Sequence, residues 1–399
     1  METTDVNNLF RAEADIAKDL VRQEKAERTK DLGSPLELSG KVLSLVVRGS
    51  EAWTAEGGRV ARRIDLETGK TLQIYKGHGG PVTCLALHED LLFTGSWDKT
   101  IKVWRTSEKS LLGSTDAHTD FVKTLLVIPS LSILVSGSSD KVVRFWDISG
   151  RLEGPLFQMG SLAAHTRPVE ALSFSPEGEN SGTLYTTDTL GLVKAWDLER
   201  TPGDKPSCRT TFKADLESHR TGVTDVWIGN GYVWSASKDE NVMIQPVNRQ
   251  PNTPKKTHVI QHPRTVNVIF PLSLSPLQAT YFLTASGDLI RIYSFDPEHP
   301  EDSPDLVNEI DAHWDDVTGL GLWLRTEEKD GKKTVEPWIL SAGLDATIRH
   351  WRLTDMLDRT KYKANPIDEA SKKVEPVAPA SSGLTEEEER ELAELMEDE

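Results

Sequence analysis

Gly77 to Trp104 reads GHGGPVTCLALHEDLLFTGSWDKTIKVW. A His opens the stretch and a Val follows four residues later. An apolar run, a turn and a second apolar run come next. Thr94 stands four residues before Asp98, and Trp104 closes a third strand-like run six residues after Asp98. The same spacing returns at His118, Ser136, Asp140 and Trp146, and again at His313, Ser341, Asp345 and Trp351. Looser copies begin at His165, His219 and His262. A still earlier copy aligns without its His, with Thr54, Gly58 and Ile64 in the Ser/Thr, Asp and Trp places.

A period of about 40–45 residues made of short alternating strands is the mark of a β-propeller. With Gly77-His78, Trp146-Asp147 and Trp196-Asp197 as its marks, the chain resembles the WD40-repeat family. Seven copies fit the stretch from about Leu36 to Leu353. The fold class expected is all-β: a seven-bladed propeller over 35–354. An amphipathic helix is expected in 1–34, a flexible linker over 355–383 and an acidic tail, helical in part, over 384–399. A propeller must close or expose strand edges. In the family resembled, the N-terminal side supplies the outer strand of the last blade, and Pro35 to Leu38 stands ready for that role.

Within a blade, the His, Ser/Thr, Asp and Trp form a chain of hydrogen bonds tying a loop to two strands. Such a network stabilises only when each member is satisfied. Blades 2, 3 and 7 carry all four. Blade 4 has His165, Thr186 and Trp196 but Leu190 at the Asp place. Blade 5 has His219, Ser235 and Asp239 but Gln245 at the Trp place. Blade 6 has His262 but Gly287 at the Asp place, with Asp288 one later.

The net charge is −17, and nearly half of it lies between Leu384 and Glu399. An acidic chain repels phosphate, which disfavours broad nucleic-acid binding. The two cysteines, Cys84 and Cys208, have no metal-ligand spacing and suit a reducing compartment. No leader-like or membrane-spanning run is present. Cytoplasm and nucleus are the expected locations.

At the N-terminus, Val6, Leu9, Phe10, Ile16, Ala17, Leu20 and Val21 recur at helical spacing, and Gly33 and Pro35 supply a stop. This stripe is expected to pack on the side or bottom of the propeller, or to dock in a partner's groove. Both termini are expected to leave from the bottom face. That face also collects the inserts Pro176–Gly182, Thr201–Pro206, Asn248–Lys256, Pro297–Asp305 and Thr326–Pro337.

The loops holding the His and Asp are short and define the opposite, top face. A rigid face suits a specific protein site. Its expected anchors are Trp97, Phe121 and Trp314 on blades 2, 3 and 7. Arg167, Arg220, Lys238 and Arg264 form a basic arc on blades 4 to 6. Trp and Arg are favoured anchors of interfaces. The expected ligand is an acidic or extended segment of another protein, with an apolar anchor.

The recurring His, Ser/Thr and Asp look like a hydrolase triad on paper, but a catalytic site is single and this trio repeats. No nucleophile elbow, phosphate loop or zinc-binding helix is present. No catalytic residue, metal or cofactor is assigned. The reading is a non-catalytic scaffold or adaptor, a monomeric propeller within a hetero-complex. The alternative is a nucleic-acid-associated subunit using the basic arc.

Overall fold

The computed structural model describes residues 13–362, apart from 151, 164, 204–205, 248–255, 298, 300–301 and 330–331. The acidic tail and most of the linker lie outside them. Seven four-stranded antiparallel sheets are arranged in a ring. The seven inner strands begin at Val42, Val82, Val122, Val169, Val223, Val266 and Val317. Each touches the next, and the seventh touches the first. Each of these Val side chains is fully buried. Seven apolar clusters fill the seven gaps between blades. The ring is thus held by sheet-on-sheet burial rather than by one central core.

Closure is as expected. Leu36–Glu37 forms the outer strand of blade 7 and pairs with Thr347–Ile348. Beside it the ring of Trp351 lies where a side chain on Gly33 would sit, at 2.6 Å from an added Cβ, and Gly33 has φ +65°. Only glycine fits that place, on both steric and backbone grounds.

Adjacent blades are also clipped by side chains. Thr83, Thr224 and Thr318 each donate a hydroxyl to the first Val carbonyl of the next inner strand, Val122, Val266 and Val42. Asn267 donates its side-chain amide N–H to the Val317 carbonyl. Each clip lies one residue after a Val that the repeat itself picks out.

The bottom inserts are partly strand. Thr326–Pro337 extends the inner hairpin of blade 7, with Arg325 opposite Glu336 and Thr326 opposite Val335. A short helix, Leu353–Met356, follows the last strand and buries Leu353 and Met356. The packed chain continues to Tyr362, whose ring meets Trp351 edge-on at 5.0 Å. The first part of the segment expected to be a linker is therefore seated on the propeller.

The N-terminal helix, α1 (Glu13–Thr29), corrects the expectation for that end. Its described part runs toward the top face rather than leaving from the bottom; of the expected apolar stripe, Val6, Leu9 and Phe10 lie outside the described residues, and of the stripe's side chains only those of Leu20 and Val21 are described. Its C-terminal end is anchored by Arg349, which donates to the carbonyls of Thr29 and Leu32. From there it reaches the top rim of blades 6 and 7 through Lys25, Arg28 and Arg22, which meet Asp288, Asp311 and Asp315. Leu20 and Val21 are 56% and 64% exposed. Over residues 20–29 the docked side is the one that carries Arg22, Lys25 and Arg28.

Candidate functional site

The loops of the top face are built from the tetrads. In blade 2, Trp104 Nε1 donates to Thr94 Oγ1 at 2.9 Å. Thr94 Oγ1 lies 2.8 Å from His78 Nε2, and His78 Nδ1 lies 2.8 Å from Asp98. The carboxylate accepts, so Nδ1 carries the proton and Nε2 accepts the threonine hydroxyl. Burial pushes the imidazoles of His78, His118, His165, His219 and His313 below their ordinary value, which keeps each ring neutral. Burial alone would raise Asp98, but bonds from Thr100, Gly79 and His78 outweigh it and hold the carboxyl at about 2. The same chain joins His118, Asp140, Ser136 and Trp146. It recurs at His313, Asp345, Ser341 and Trp351.

The three looser blades solve the problem in three ways. In blade 4, Asp188 fills the acid role from two residues earlier than Leu190. It bonds His165 Nδ1 at 2.9 Å, while His165 Nε2 meets Thr186 and Trp196 closes the chain. Residues two apart on a strand share a face, so Asp188 stands beside Thr186. Replacing Asp188 with Ala is expected to cost about 2 kcal/mol, because a buried donor loses its partner. Leu190→Ala, at a 48% exposed position, is expected to be nearly neutral. Thermal melting of the two variants tests this.

In blade 5, Gln245 replaces the indole and bonds both backbone groups of Glu217. In blade 6, Ser286 pairs directly with Leu289 across a two-residue turn, whereas Gly95 pairs with Ile101 in blade 2. The shorter turn carries Asp288 away from His262. That ring instead bonds Ile260 O and Thr284, with Tyr293 hydroxyl at 3.3 Å. Blade 1 has no His at all. A buried Arg62–Glu56 pair, 2.6 Å apart, does the tying, and Arg62 also reaches Ser39 and Thr71.

The tetrads fix the loops that display the expected anchors. Asp98, Asp140 and Asp239 accept the backbone N–H of the residue after each His: Gly79, Thr119 and Arg220. Across each blade the two top loops are also joined. Trp97 N–H bonds Pro81 O, Ser139 N–H bonds Phe121 O, and Lys238 N–H bonds Gly222 O. These positions are held before any ligand arrives.

The structure brings Trp97 and Phe121 together. Their rings stack at 5.1 Å and 19°, and they stay 46% and 38% exposed. Phe121 thus bridges to blade 2 rather than tucking beneath it. Arg167, Arg220 and Lys238 are exposed and form no ion pair among the described residues. Arg264 does not belong with them, since it is tied to Asp288 at 2.7 Å. Trp314 is half-buried. It lines two clefts whose other walls include Arg22 of α1, so it stands apart from the open aromatic pair.

An apolar cavity of about 470 Å³ is lined by residues of blades 1, 5, 6 and 7, including Leu45, Val47, Trp227, Phe270, Leu274 and Leu322. Among the described residues, no group of three or more His, Cys, Asp or Glu is arranged to hold a metal ion. None of their helices is long and apolar enough to cross a membrane.

The family model described as "WD domain, G-beta repeat" matches residues 69–105 and 109–147, each the outer strand of one blade followed by the three inner strands of the next, from blade 1 into blade 3. A WD repeat-containing protein of Schizosaccharomyces pombe is 25% identical over 427 residues, covering 100% of both chains. Pre-mRNA-processing factor 19 of Oryza sativa is 26% identical, over 73% of this chain and 54% of its own length. Eukaryotic translation initiation factor 3 subunit I of Aspergillus terreus is 27% identical, over 54% of this chain and 62% of its own. Among solved structures, the computationally designed Ika8 protein superposes with a TM-score of 0.53 at 18% identity, over 79% of this chain and 97% of its own. That likeness concerns the fold alone. With seven closed blades and the repeated tetrads, these matches lead to one conclusion: the chain belongs to the WD40-repeat β-propeller family.

Proposed function

We propose that this propeller is a non-catalytic adaptor, one subunit of an intracellular protein assembly, and that its top face holds an extended acidic segment of a partner. The observation that carries the reading is the exposed Trp97–Phe121 stack on loops fixed in advance. Aromatic anchors on a rigid frame lose little entropy on binding. Arg167, Arg220 and Lys238 supply cations not already committed to a carboxylate of the described chain. An apolar side chain of the partner sits on the stack, and its acidic residues follow the arc of blades 4 and 5. The relatives add support. By their names, one is a pre-mRNA-processing factor and another a subunit of a translation initiation factor. Placement of this chain in cytoplasm or nucleus is part of the same proposal.

The test is charge reversal on the arc. Arg167→Glu with Arg220→Glu is compared with the unaltered chain for partners recovered from nuclease-treated native extract. The proposal expects a protein partner that survives the nuclease and is depleted about tenfold or more by the double variant, as close charge pairs at interfaces contribute strongly. Undiminished recovery contradicts the acidic-segment reading. Loss on nuclease treatment alone would favour nucleic acid instead.

A further inference from the structure

The shortened turn of blade 6 has released a carboxylate. In blades 2, 3, 5 and 7 the turn aspartate is used up by its own His. Asp288 is not. It faces the top rim with Asp311 and Asp315 nearby, and α1 lands on these three. Lys25 lies 2.6 Å from Asp288 and also contacts Asp311. Arg28 lies 2.6 Å from Asp311, and Arg22 lies 3.7 Å from Asp315. The three basic residues are spaced three apart, so they form one side of the helix. Burial works against ionisation at Asp288, yet Lys25 and Arg264 hold its carboxyl below the usual range.

The contact is unusual for an intramolecular helix. Leu20 and Val21 are left largely exposed, so these two apolar side chains contribute little burial where the helix meets the rim. The tight attachment is at the base, where Arg349 grips the carbonyls of Thr29 and Leu32. Above it the helix is held mainly by charges: Arg22 and Arg28 are 53% and 29% exposed and their pairs weaken with salt, whereas Lys25 and Asp288 are only 12% and 10% exposed and that pair is screened less. The helix borders clefts on both sides of Trp314, the one aromatic anchor that is not openly displayed.

We infer that α1 is a salt-labile cover, hinged at Thr29 to Gly33, that closes the blade 7 sector of the top face by laying a basic stripe on the rim acid freed in blade 6. A partner that needs Trp314 must lift it, whereas one confined to the Trp97–Phe121 stack binds with the cover in place. The consequence for partners rests on the top-face reading above, but the cover itself does not.

The test uses the full chain and no partner. Hydrogen exchange of peptides spanning residues 20–31 is measured at low salt and at about 0.5 M salt, where the Debye length falls to roughly 4 Å. The double variant Asp288→Asn with Asp311→Asn is measured beside it, which leaves the helix sequence untouched. Acrylamide quenching of Trp314 is taken as the difference between each chain and its Trp314→Phe counterpart. Added salt, or the double variant, is expected to speed exchange in α1 about tenfold, as the loss of two or more weak ion pairs implies. Trp314 is expected to become more quenchable, with exchange in blades 2 to 4 unchanged. Equal protection and equal quenching in all conditions would overturn the cover. Failure here leaves the Trp97–Phe121 reading standing, and failure of the arc variants leaves the cover standing.

Discussion

Trp351→Ala is expected to lower the unfolding free energy by about 4 kcal/mol, in the range for truncating a fully buried aromatic. Trp351 is wholly inaccessible to solvent. Its indole N–H donates to Ser341 at 2.8 Å, and its ring rests against Gly33 and Tyr362. One truncation therefore opens a cavity, breaks the blade 7 tetrad and loosens the closing strand. Those effects share one place, because blade 7 takes its outer strand from the other end of the sequence. Leu111→Ala is the control, since Leu111 is exposed on an outer strand and surface changes of this kind stay within about 0.5 kcal/mol. Urea unfolding followed by circular dichroism reads both. A Trp351→Ala midpoint no lower than that of Leu111→Ala would show that closure does not depend on this residue.

Removing both rings of the top-face stack is the larger functional test. Trp97→Ala with Phe121→Ala is expected to weaken partner binding about a hundredfold, as loss of a central aromatic anchor pair does in other interfaces. The midpoint of unfolding should hardly move. Both rings are exposed in the free chain, and the loops beneath them are held by backbone bonds that survive the change. Titration of the purified partner at fixed salt gives the affinity ratio. An unchanged affinity with an intact fold removes the stack from the binding site.

Much of the fold could be read in the residues because the repeat encodes it twice. The His-to-Val spacing marks six of the seven inner strands, and the Ser/Thr, Asp and Trp spacing marks the next two strands in blades 2, 3 and 7. Leu36–Glu37 was recognisable because a ring of seven blades needs one more outer strand. The exceptions escaped spacing for physical reasons. In blade 4 the acid moved two residues along the same strand face, so Asp188 meets His165 although Leu190 holds the expected place. In blade 1 an Arg62–Glu56 pair replaces the imidazole, a solution the motif does not contain. In blade 6 one residue fewer in the turn sends Asp288 to Lys25 and Arg264.

The docking of α1 over residues 20–29 is hidden from spacing for a related reason. Its apolar residues recur at helical spacing, but Arg22, Lys25 and Arg28 recur as well, and the rim they meet is acidic. Nothing local to α1 reveals that rim, since Asp288, Asp311 and Asp315 are far away in the sequence. Within the site, the stacking of Trp97 on Phe121 was not anticipated, although both residues had been assigned to the top face. It depends on two loops from adjacent blades, and only the closed ring sets their separation. Of the four basic residues expected on the arc, Arg264 already pairs with Asp288.

Binding of a partner at the top face, as proposed, is read most directly by a hydrogen-exchange footprint of the full chain alone and in its purified native complex. The account predicts new protection at the top loops around Trp97, Thr119 to Phe121, Thr166 to Arg167, Arg220 and Lys238. Protection confined to the blade 7 hairpin near Thr326 and Val335, or to the outer strands, would contradict it.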